Sequence, residues 1–423
     1  MSESTRPRTV ISGLGAISPL GLTAREFWDG LVAGRSGITR ITQFDASGLP
    51  CQVAGEIKGF EPKRYMDFKE ARRMSRCSQL AIATAHEAMC DAGLADGDQA
   101  ARFDDPERVG VVFGTAIGGL EKADEGIQVL RQHGFSKVNP FLVPASVPNM
   151  PAHHISQTYH TLGPLTTIVT ACASGTQAVG EAAELIRRGV VDIVVTGGVE
   201  ATIRDYAIGG FASMRALPVS FNDAPEKASR PFDRDREGFV YSEGCAVLVL
   251  EELNHARRRG AHIYAEVLGQ ASSSDAYHVA APDPTGEGAV RAMRWALRDA
   301  RVSVDDIDYI NAHGTSTPAN DAGETLAIKK LFGERAYTVP ISSTKSMMGH
   351  PMGAAGALEA IVCAFTLSYG IIHPTINYEH PDPECDLDYV PNVARAVRVR
   401  TTLSNSFGLG GQNACLVLRK FEG

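Results

Sequence analysis

"VTACASGTQAVG", residues 169–180, decides the fold because it joins a predicted strand to a predicted helix. The β-branched residues 166–170 favour a strand, and residues 176–188 have apolar positions at helical spacing before Gly189. We therefore expect Cys172 at a strand-to-helix turn. The free N–H groups and partial positive charge of a helix start would favour a thiolate there and could bind an oxyanion. Most free cysteines are small buried hydrophobic residues. Whether Cys172 is reactive has to be judged from the rest of the sequence.

Composition places the chain among globular proteins. Its 423 residues, 44% of them hydrophobic, are enough for a large core and for two or three structural units. The formal net charge of -8 does not give the basic surface that nucleic-acid binders usually carry. No apolar run reaches about 18 residues, and glycines interrupt residues 11–15 near the start. We expect no nucleic-acid partner, no membrane insertion and a cytoplasmic location.

The eight cysteines are scattered singly along the chain. They form no C-x-x-C pair, and their spacing to the 12 histidines does not fit a structural zinc site. We expect thiols without a disulfide framework and without a metal, so that any important cysteine is important for its reactivity. The cysteines are Cys51, Cys77, Cys90, Cys172, Cys245, Cys363, Cys385 and Cys415.

Short β-branched or apolar runs alternate with longer helical patterns, which is typical of an α/β fold with a sheet buried on both faces. The pattern indicates two similar halves, residues 1–260 and 261–423, that meet without a flexible linker. Each half has a late glycine-rich turn, at 196–200 and at 407–413. Predicted strands are 9–11, 109–113, 192–196 and 246–250, then 263–268, 307–311, 338–342 and 401–404; predicted helices are 75–93, 292–300 and 354–368.

Residues 138–180 contain no Asp, Glu, Lys or Arg, although 21% of the chain is charged. Five prolines in this stretch argue against a membrane helix. Two interpretations remain open. The stretch is either buried at a subunit interface or around an apolar cavity, or it is an ordinary core segment.

Two histidines follow predicted strands and precede small-residue turns, His313 in "NAHGTSTPANDAGE" and His350 in "SSTKSMMGHPMGAAGALEA". In open α/β sheets, sites gather at the carboxyl ends of strands. One thiolate and two histidines suit a decarboxylative condensation. Cys172 would take an acyl group from a thioester, and imidazole N–H groups would stabilise the enolate that a malonyl thioester leaves on losing carbon dioxide. Backbone N–H groups at Cys172 and in the 407–411 turn would hold the oxyanion.

Four motifs in this order give a specific resemblance: "TACASG", "NAHGTSTPAND", "SSTKSMMGHPMGAAGALE" and "NSFGLGGQN". Over its whole length the chain resembles the β-ketoacyl-[acyl-carrier-protein] synthases, and most of all the elongating type II enzymes of bacterial fatty-acid synthesis. The resemblance implies a thiolase-like fold of five αβαβα layers with two pseudo-duplicated halves. It also implies a homodimer, acyl carrier protein as partner, and no dissociable cofactor, because the substrates arrive on phosphopantetheine.

Functional residues follow from the resemblance position by position. Cys172 matches the acyl-accepting nucleophile, and His313 and His350 match the decarboxylation pair. Lys345 matches a lysine of structural and electrostatic role, with Glu359 as its expected partner. The remaining matches are Thr315 and Thr317 for the phosphopantetheine arm, Ile117 and Phe211 for the acyl-pocket wall, and Phe407, Gly408 and Leu409 for the turn that gates the acyl pocket and contributes to the oxyanion site.

This chain departs from the family pattern at two places. Leu409 stands where the family has the gating phenylalanine, and Ala280 and Ala281 stand where Thr and Ser often flank the phosphopantetheine arm. Leu409 therefore leaves chain-length preference open, and Ala280 and Ala281 put hydrogen bonds from that loop in doubt.

A basic segment is the expected docking surface for an acidic carrier protein. Residues 63–76 include six basic and two acidic side chains. Lys69, Arg72 and Arg73 match the family's docking positions, and so does Arg215. Taken without the resemblance, such a run would be interpreted as a solvated helix face.

Four alternatives are kept. A ketosynthase subunit of a type II polyketide or polyene pathway would use the same residues with another partner. A non-catalytic carrier-binding subunit is disfavoured by the joint presence of Cys172, His313 and His350, and a degradative thiolase would need a second catalytic cysteine. A Cys/His metal protein is the last alternative, and metal analysis would test it.

Overall fold

A ten-stranded mixed sheet runs through the computed structural model, which describes residues 6–97 and 101–423. The strands of the protein are β1 (Thr9–Ile17), β2 (Thr39–Arg40), β3 (Val53–Ala54), β4 (Val109–Gly114), β5 (Leu165–Ile168), β6 (Ile193–Glu200), β7 (Gly244–Glu252), β8 (Ala265–Ser274), β9 (Tyr309–Asn311), β10 (Ile341–Ser342), β11 (Ile371–Ile372), β12 (Arg395–Ala396), β13 (Thr401–Gly408) and β14 (Gln412–Lys420). Strands β2 and β3, and likewise β11 and β12, form two small sheets outside the ten-stranded one.

Each half of the chain contributes five strands to this sheet in one repeated order. The first half gives β5-β4-β6-β7-β1 and the second gives β10-β9-β13-β14-β8. Corresponding pairs also have the same direction: β4 is parallel to β5 and β6, as β9 is to β10 and β13, and the other neighbours are antiparallel. The halves join where β1 pairs antiparallel with β8. The predicted boundary near residue 260 lies shortly before β8.

Helices cover both faces of each half-sheet. The helices are α1 (Ala24–Val32), α2 (Phe68–Ala71), α3 (Arg76–Asp91), α4 (Leu120–His133), α5 (Leu142–Ser146), α6 (Met150–Tyr159), α7 (Ser174–Arg187), α8 (Asp205–Ser213), α9 (Leu253–Arg258), α10 (Glu287–Ala300), α11 (Pro318–Phe332), α12 (Lys345–Met348) and α13 (Ala355–Tyr369). Short 3-10 turns are Pro62–Arg64, Pro106–Arg108, Phe135–Lys137, Ala171–Ala173, Pro225–Lys227, Val304–Asp306, Gly333–Tyr337 and Met352–Ala354.

The layers follow from the helix contacts. Helices α7 and α13 pack against each other and against strands of both half-sheets, so they form the central layer. Helices α3 and α6 cover the outer face of the first half-sheet, and α10 and α11 lie on the outer side of the second. The predicted five-layer αβαβα order is confirmed.

One segment of the central layer, residues 352–369, is apolar enough to resemble a membrane span. Residues 352–369 pass the length and hydropathy criteria for a membrane-crossing helix, yet 89% of that window is buried inside the protein. A helix that is apolar on all sides belongs in the interior of a large protein. Here it is the core helix α13 with the turn before it.

Both central helices begin in the same way. A 3-10 turn precedes each one, Ala171–Ala173 before α7 and Met352–Ala354 before α13. The first residue of each turn has a left-handed backbone, with φ of 50° at Ala171 and 37° at Met352. Non-glycine residues seldom adopt this conformation, so each turn is a sharp bend that redirects the chain.

Three sequence predictions need correction. Residues 196–200 are not a turn but the end of β6, and Gly198 is needed there because a Cβ would lie 2.6 Å from the Gly353 carbonyl oxygen. Strand β10 covers only residues 341–342 of the predicted 338–342. The predicted turn at 407–413 is the hairpin between β13 and β14, a strand that the sequence analysis missed.

The uncharged stretch 138–180 is not an ordinary core segment. It forms α5, α6, the edge strand β5 and the start of α7. Several of its apolar side chains face outward: Phe141, Val143, Leu162, Leu165 and Val169 are each at least 39% exposed. An apolar face of this kind indicates an interaction surface.

Candidate active site

The Cys172 turn has the predicted strand-to-helix form. Strand β5 ends at Ile168, and α7 begins at Ser174. The Ser174 hydroxyl oxygen accepts a hydrogen bond from the Thr170 backbone N–H at 2.8 Å, and the hydroxyl donates to the Ala171 carbonyl oxygen at 2.7 Å. These bonds hold the bend that places Cys172 beside the start of the helix.

Three loops bring Cys172, His313 and His350 together. The Cys172 sulfur and one ring nitrogen of each histidine lie within 4.8 Å of one another, and all three residues are buried. The two imidazole rings are 5.4 Å apart at 84°. A cavity of about 410 Å³ is lined by all three side chains. The sequence therefore identified groups that the fold brings into one site.

Glu324 fixes the His313 loop. Its carboxylate accepts hydrogen bonds from the backbone N–H groups of His313 at 2.9 Å and Gly314 at 2.8 Å, and from the Asn405 side-chain amide at 3.1 Å. Burial raises the pKa of Glu324 to about 7. The sequence analysis assigned no role to Glu324, although it closes the quoted motif 311–324; an acidic residue soon after a loop histidine was the available signal.

A strand-like segment of the first half holds His350. The His350 backbone N–H donates to the Val240 carbonyl oxygen at 2.7 Å, and the Ser242 N–H donates to the His350 carbonyl oxygen at 3.2 Å. The Phe239 ring packs edge-on against the imidazole at 5.4 Å. This support crosses between the halves, and sequence reasoning missed Phe239.

Both imidazoles are neutral. Burial lowers the pKa of His313 and of His350 well below the usual value, and the nearby charge of Lys345 lowers both further. Three ring nitrogens have no hydrogen-bond partner among the described residues: Nδ1 of His313, and both Nδ1 and Nε2 of His350. A neutral imidazole has one N–H donor and one acceptor nitrogen, so each ring can still form a hydrogen bond with a substrate.

Lys345 and Glu359 form a buried ion pair, as the resemblance implied. The Lys345 carbonyl oxygen also accepts a hydrogen bond from the Ser229 hydroxyl at 2.7 Å. Burial raises the pKa of Glu359 to about 7, although Lys345 acts in the opposite direction. The pair joins α12, which begins at Lys345, to α13, which contains Glu359. Separating the two side chains would leave a buried charge without a partner, so the pair holds the two helices together.

Opposing effects act on the pKa of the Cys172 thiol. Burial raises its pKa to about 11, while the Leu409 backbone N–H and the charge of Lys345 lower it. Burial therefore opposes the helix-start effect that the sequence suggested. The Leu409 contact supports the other prediction, that the 407–411 turn supplies an oxyanion donor. Gly408 allows this approach, since a Cβ there would lie 2.8 Å from the Thr170 carbonyl oxygen.

The other matched residues fall into two groups around Cys172. Thr315 and Thr317 line the cavity, and their hydroxyl oxygens are 2.9 Å apart. Phe407, Gly408, Leu409, Ala280, Ala281 and Arg215 also line it. Ile117 and Phe211 instead pack against the apolar cluster that contains Cys172. The matched residues therefore lie in two places, the cavity and the apolar cluster, and Cys172 belongs to both.

The predicted docking residues are exposed. Lys69 lies in α2, Arg72 follows it, and Arg73 pairs with Glu70 at 2.8 Å. The Arg73 guanidinium also lies 4.7 Å from the centre of the Phe141 ring, next to the apolar face described above. Basic and apolar surfaces are therefore continuous here.

Cys172, His313 and His350 could also ligate a soft divalent cation, because their donor atoms are this close. A second group, Asp233, Asp235 and His380, has similar spacing. Its buried Asp233 carboxylate already accepts hydrogen bonds from the Arg230 side chain and from three backbone N–H groups. Asp233 therefore fixes the surrounding loops, while Asp235 and His380 are exposed.

Two family models together match most of the chain. Residues 7–256 match the beta-ketoacyl synthase N-terminal domain, and residues 264–379 match the beta-ketoacyl synthase C-terminal domain. Proteins named 3-oxoacyl-[acyl-carrier-protein] synthase 2 from Synechocystis, Coxiella burnetii and Staphylococcus aureus are each 46% identical. They align over 100%, 98% and 99% of this chain and over 100%, 98% and 100% of their own lengths.

Solved structures show the same architecture. A beta-ketoacyl synthase from Burkholderia phymatum superimposes with a TM-score of 0.91 at 36% identity, over 98% of this chain and 100% of its own. A type II polyketide ketosynthase in complex with its acyl carrier protein gives 0.90 at 34% identity, over 99% and 100%. The ishigamide ketosynthase/chain length factor gives 0.90 at 38% identity with the same coverage.

Proposed function

This chain belongs to the β-ketoacyl synthase family, and from that premise we propose that it elongates acyl chains by decarboxylative condensation. An acyl group held on Cys172 reacts with malonyl-[acyl-carrier-protein] to give 3-oxoacyl-[acyl-carrier-protein]. The observation that carries this proposal is the convergence of the Cys172 sulfur with His313 and His350 within 4.8 Å in one buried site.

The first half-reaction loads Cys172. Its sulfur attacks the acyl thioester of the carrier, the carbonyl oxygen becomes an oxyanion, and the backbone N–H groups of Cys172 and Leu409 would bind it. The bond between acyl carbon and carrier sulfur then breaks. The proton of the Cys172 thiol ends on the released carrier thiol, so no charge accumulates.

The second half-reaction needs neutral donors. Loss of carbon dioxide from malonyl-carrier places negative charge on the thioester oxygen, and N–H groups of His313 and His350 would stabilise that enolate. A neutral imidazole keeps the N–H donor without adding a fixed positive charge. The enolate carbon then attacks the acyl-cysteine carbonyl, and the bond from the acyl carbon to the Cys172 sulfur breaks. The Cys172 thiolate takes up one proton from water, which restores the thiol.

Fatty-acid elongation is the favoured setting. The 46% identical, full-length relatives carry the name 3-oxoacyl-[acyl-carrier-protein] synthase 2, whereas the polyketide and ishigamide ketosynthases are 34% and 38% identical. A non-catalytic carrier-binding subunit would have no use for the assembled Cys172, His313 and His350. The polyketide and binding-subunit alternatives are therefore not favoured.

We also propose that the reaction needs no dissociable cofactor or metal. Phosphopantetheine arrives attached to the carrier, and the threonine pair Thr315 and Thr317 stands in the cavity where it would bind. A cation held by Cys172, His313 and His350 would occupy the three groups that the chemistry uses. A cytoplasmic location stays a prediction, consistent with the burial of residues 352–369.

The dimer implied by the family is supported by one face of the protein. Strand β5 ends the sheet and pairs on one side with β4. Beside it lie the exposed apolar side chains of the uncharged stretch 138–180. An uncovered edge strand with an apolar surround favours association, and we propose a second copy of this chain as the partner.

The test of the function is a reconstituted assay. Purified protein is incubated with octanoyl-carrier and malonyl-carrier while carbon dioxide, product mass and intact protein mass are followed. We expect an octanoyl adduct on the protein, and after malonyl-carrier is added, one carbon dioxide for each 3-oxodecanoyl product. Failure to acylate with short, medium and long chains would contradict fatty-acid elongation.

Docking on the basic segment gives a separate prediction. We expect the Lys69→Glu/Arg72→Glu double variant to raise the KM for carrier-bound substrates by about tenfold at low salt, with kcat little changed, because exposed charges steer an acidic partner. The measurement is the KM for octanoyl-carrier across a range of ionic strength. The effect should shrink as salt rises.

Two controls accompany the docking variant. Arg398→Glu makes the same kind of charge change at another exposed position and should leave the KM unaltered. Acyl-pantetheine, which lacks the protein partner, should react equally well with all three enzymes. An equal loss with acyl-pantetheine would show damage to the active site instead of docking.

A further inference from the structure

The turn that carries Thr315 and Thr317 has a backbone conformation that serine seldom adopts. Ser316 lies between the two threonines, is fully buried and has a φ of 69°. A non-glycine residue in the left-handed region needs support from its surroundings to stay there. Because both threonines line the cavity, the groups that support this turn also decide where the two hydroxyls stand.

A segment from the first half of the chain supplies this support. The Arg230 backbone N–H donates to the Ser316 hydroxyl oxygen at 3.0 Å. The Arg236 guanidinium donates to the Thr317 carbonyl oxygen at 3.4 Å and to the Pro318 carbonyl oxygen at 3.2 Å. Arg236 therefore fixes the point at which the turn passes into α11.

The guanidinium of Arg236 is itself held in place. The residue is only 7% exposed. Its guanidinium donates to the Asp233 carbonyl oxygen at 2.9 Å and to the Asp382 carboxylate, and it lies 3.8 Å from the Asp321 carboxylate. Apolar side chains often replace a buried ion pair without loss of stability, so stability alone does not require this arginine. It does provide a fixed set of donors, of which Nε and Nη2 reach the threonine turn.

The position of the turn is important because of the hydrogen bond that the two threonines share. Their hydroxyl oxygens are 2.9 Å apart, and the Thr317 oxygen also accepts from the Asn320 backbone N–H at 3.4 Å. When one hydroxyl donates to the other, the hydrogen of the accepting hydroxyl is left for a third group. An amide carbonyl of a pantetheine arm in the cavity is a suitable acceptor. A displacement of the turn by about 1 Å would take that hydroxyl out of hydrogen-bonding distance.

We propose that Arg236 is a positioning residue for the phosphopantetheine arm. It holds the turn at Thr317 and Pro318 so that a threonine hydroxyl meets the arm. This inference rests on the proposed condensation reaction and deepens it. Arg236 does not line the cavity, so it acts through the turn. Because the arm is held equally before and during the chemical step, poorer positioning weakens substrate binding and leaves the chemical step unchanged.

The test compares wild type with Arg236→Lys, which keeps the positive charge and loses the planar set of donors. The substrate is octanoyl-pantetheine, which has the arm without the carrier protein, and acylation of Cys172 is followed by intact mass. We expect the KM to rise about tenfold with kcat little changed, since the binding lost is that of about one hydrogen bond. Alkylation of Cys172 by iodoacetamide does not use the arm and should keep the wild-type rate.

Arg187→Lys is the matched control. Arg187 is also a buried arginine, 8% exposed, with ion pairs to Glu184 and Asp299 and a hydrogen bond to a carbonyl oxygen, that of Val267 at 2.8 Å. It lies on α7 and does not line the cavity. We expect Arg187→Lys to lower the melting temperature at least as much as Arg236→Lys and to leave the KM for octanoyl-pantetheine unaltered.

A double-mutant cycle with Thr315→Val separates positioning from a general effect on the fold. In the Thr315→Val background, Arg236→Lys should raise the KM much less than in wild type, because the hydroxyl pair is already lost. Asp382→Asn weakens the support of Arg236 from its partly exposed side. It should raise the KM in the same direction by a smaller factor, and it replaces Arg236→Lys if that variant does not fold.

Three results would overturn the inference while the condensing function stands. They are an unchanged KM in the variant that removes the support, independent effects of Arg236→Lys and Thr315→Val in the cycle, and an equal rise of the KM in Arg187→Lys. If wild type accepts no acyl group from octanoyl-pantetheine or from octanoyl-carrier, the condensing function and this inference are both wrong.

Discussion

Replacing Cys172 with alanine is expected to remove acyl transfer entirely. The variant should gain no acyl mass, and its condensation rate should fall by at least about a thousandfold, since no other group in the site can form the thioester. Intact mass spectrometry after incubation with octanoyl-carrier measures the first effect. Product formation with malonyl-carrier measures the second.

A cysteine control separates this result from general damage. Of the eight cysteines, Cys90 is the one that is not fully buried, and it lies on α3 at 3.9 Å from a ring nitrogen of His86. Cys90→Ala should acylate at the wild-type rate. If Cys172→Ala still gains one acyl group while Cys90→Ala does not, the nucleophile has been assigned to the wrong residue.

Replacing His313 or His350 with alanine should separate the two half-reactions. We expect carbon dioxide release from malonyl-carrier to fall by about a hundredfold to ten thousandfold, because an oxyanion loses one of its donors. Acylation of Cys172 should be affected much less, since the backbone N–H groups of Cys172 and Leu409 serve that step. The measurement follows adduct mass and carbon dioxide in parallel for each variant.

His262→Ala is the control for the histidine variants, because His262 is exposed and lies outside the cavity. It should behave as wild type in both assays. Equal losses of acylation and decarboxylation in the His313 and His350 variants would contradict the division of roles. A denaturation midpoint close to that of wild type is needed to exclude partial unfolding, since both imidazoles are buried.

Local patterns predicted the parts of the site that depend on neighbouring residues. The β-branched run before Cys172 and the helical spacing after it fixed the strand-to-helix turn, and strand ends placed His313 and Lys345 on one edge of the sheet. The pairing of Lys345 with Glu359 came from the family resemblance. These features are encoded within segments of about twenty residues, where propensity and periodicity act.

Features that depend on distant parts of the chain could not be predicted. The hydrogen bond from His350 to Val240 joins segments that are far apart in sequence. The pKa of Cys172 is raised by burial, which opposes the helix-start effect that the sequence suggested. Gly198 looked like part of a turn, although it pairs with neighbouring strands on both sides, and it is a glycine because the Gly353 carbonyl oxygen lies close to it. Long-range packing decided each of these cases.

The two matching bends before α7 and α13 have the same geometry but different surroundings. In the first bend the second residue is Cys172, and in the second bend the same position is Gly353. A Cβ at Gly353 would collide with the Ala116 backbone nitrogen, so the second copy has no room for a nucleophile. The second bend instead packs its backbone against the first half, where a Cβ at Gly175 or Gly198 would meet the Gly353 carbonyl oxygen. Neither half, expressed alone, would carry a complete catalyst.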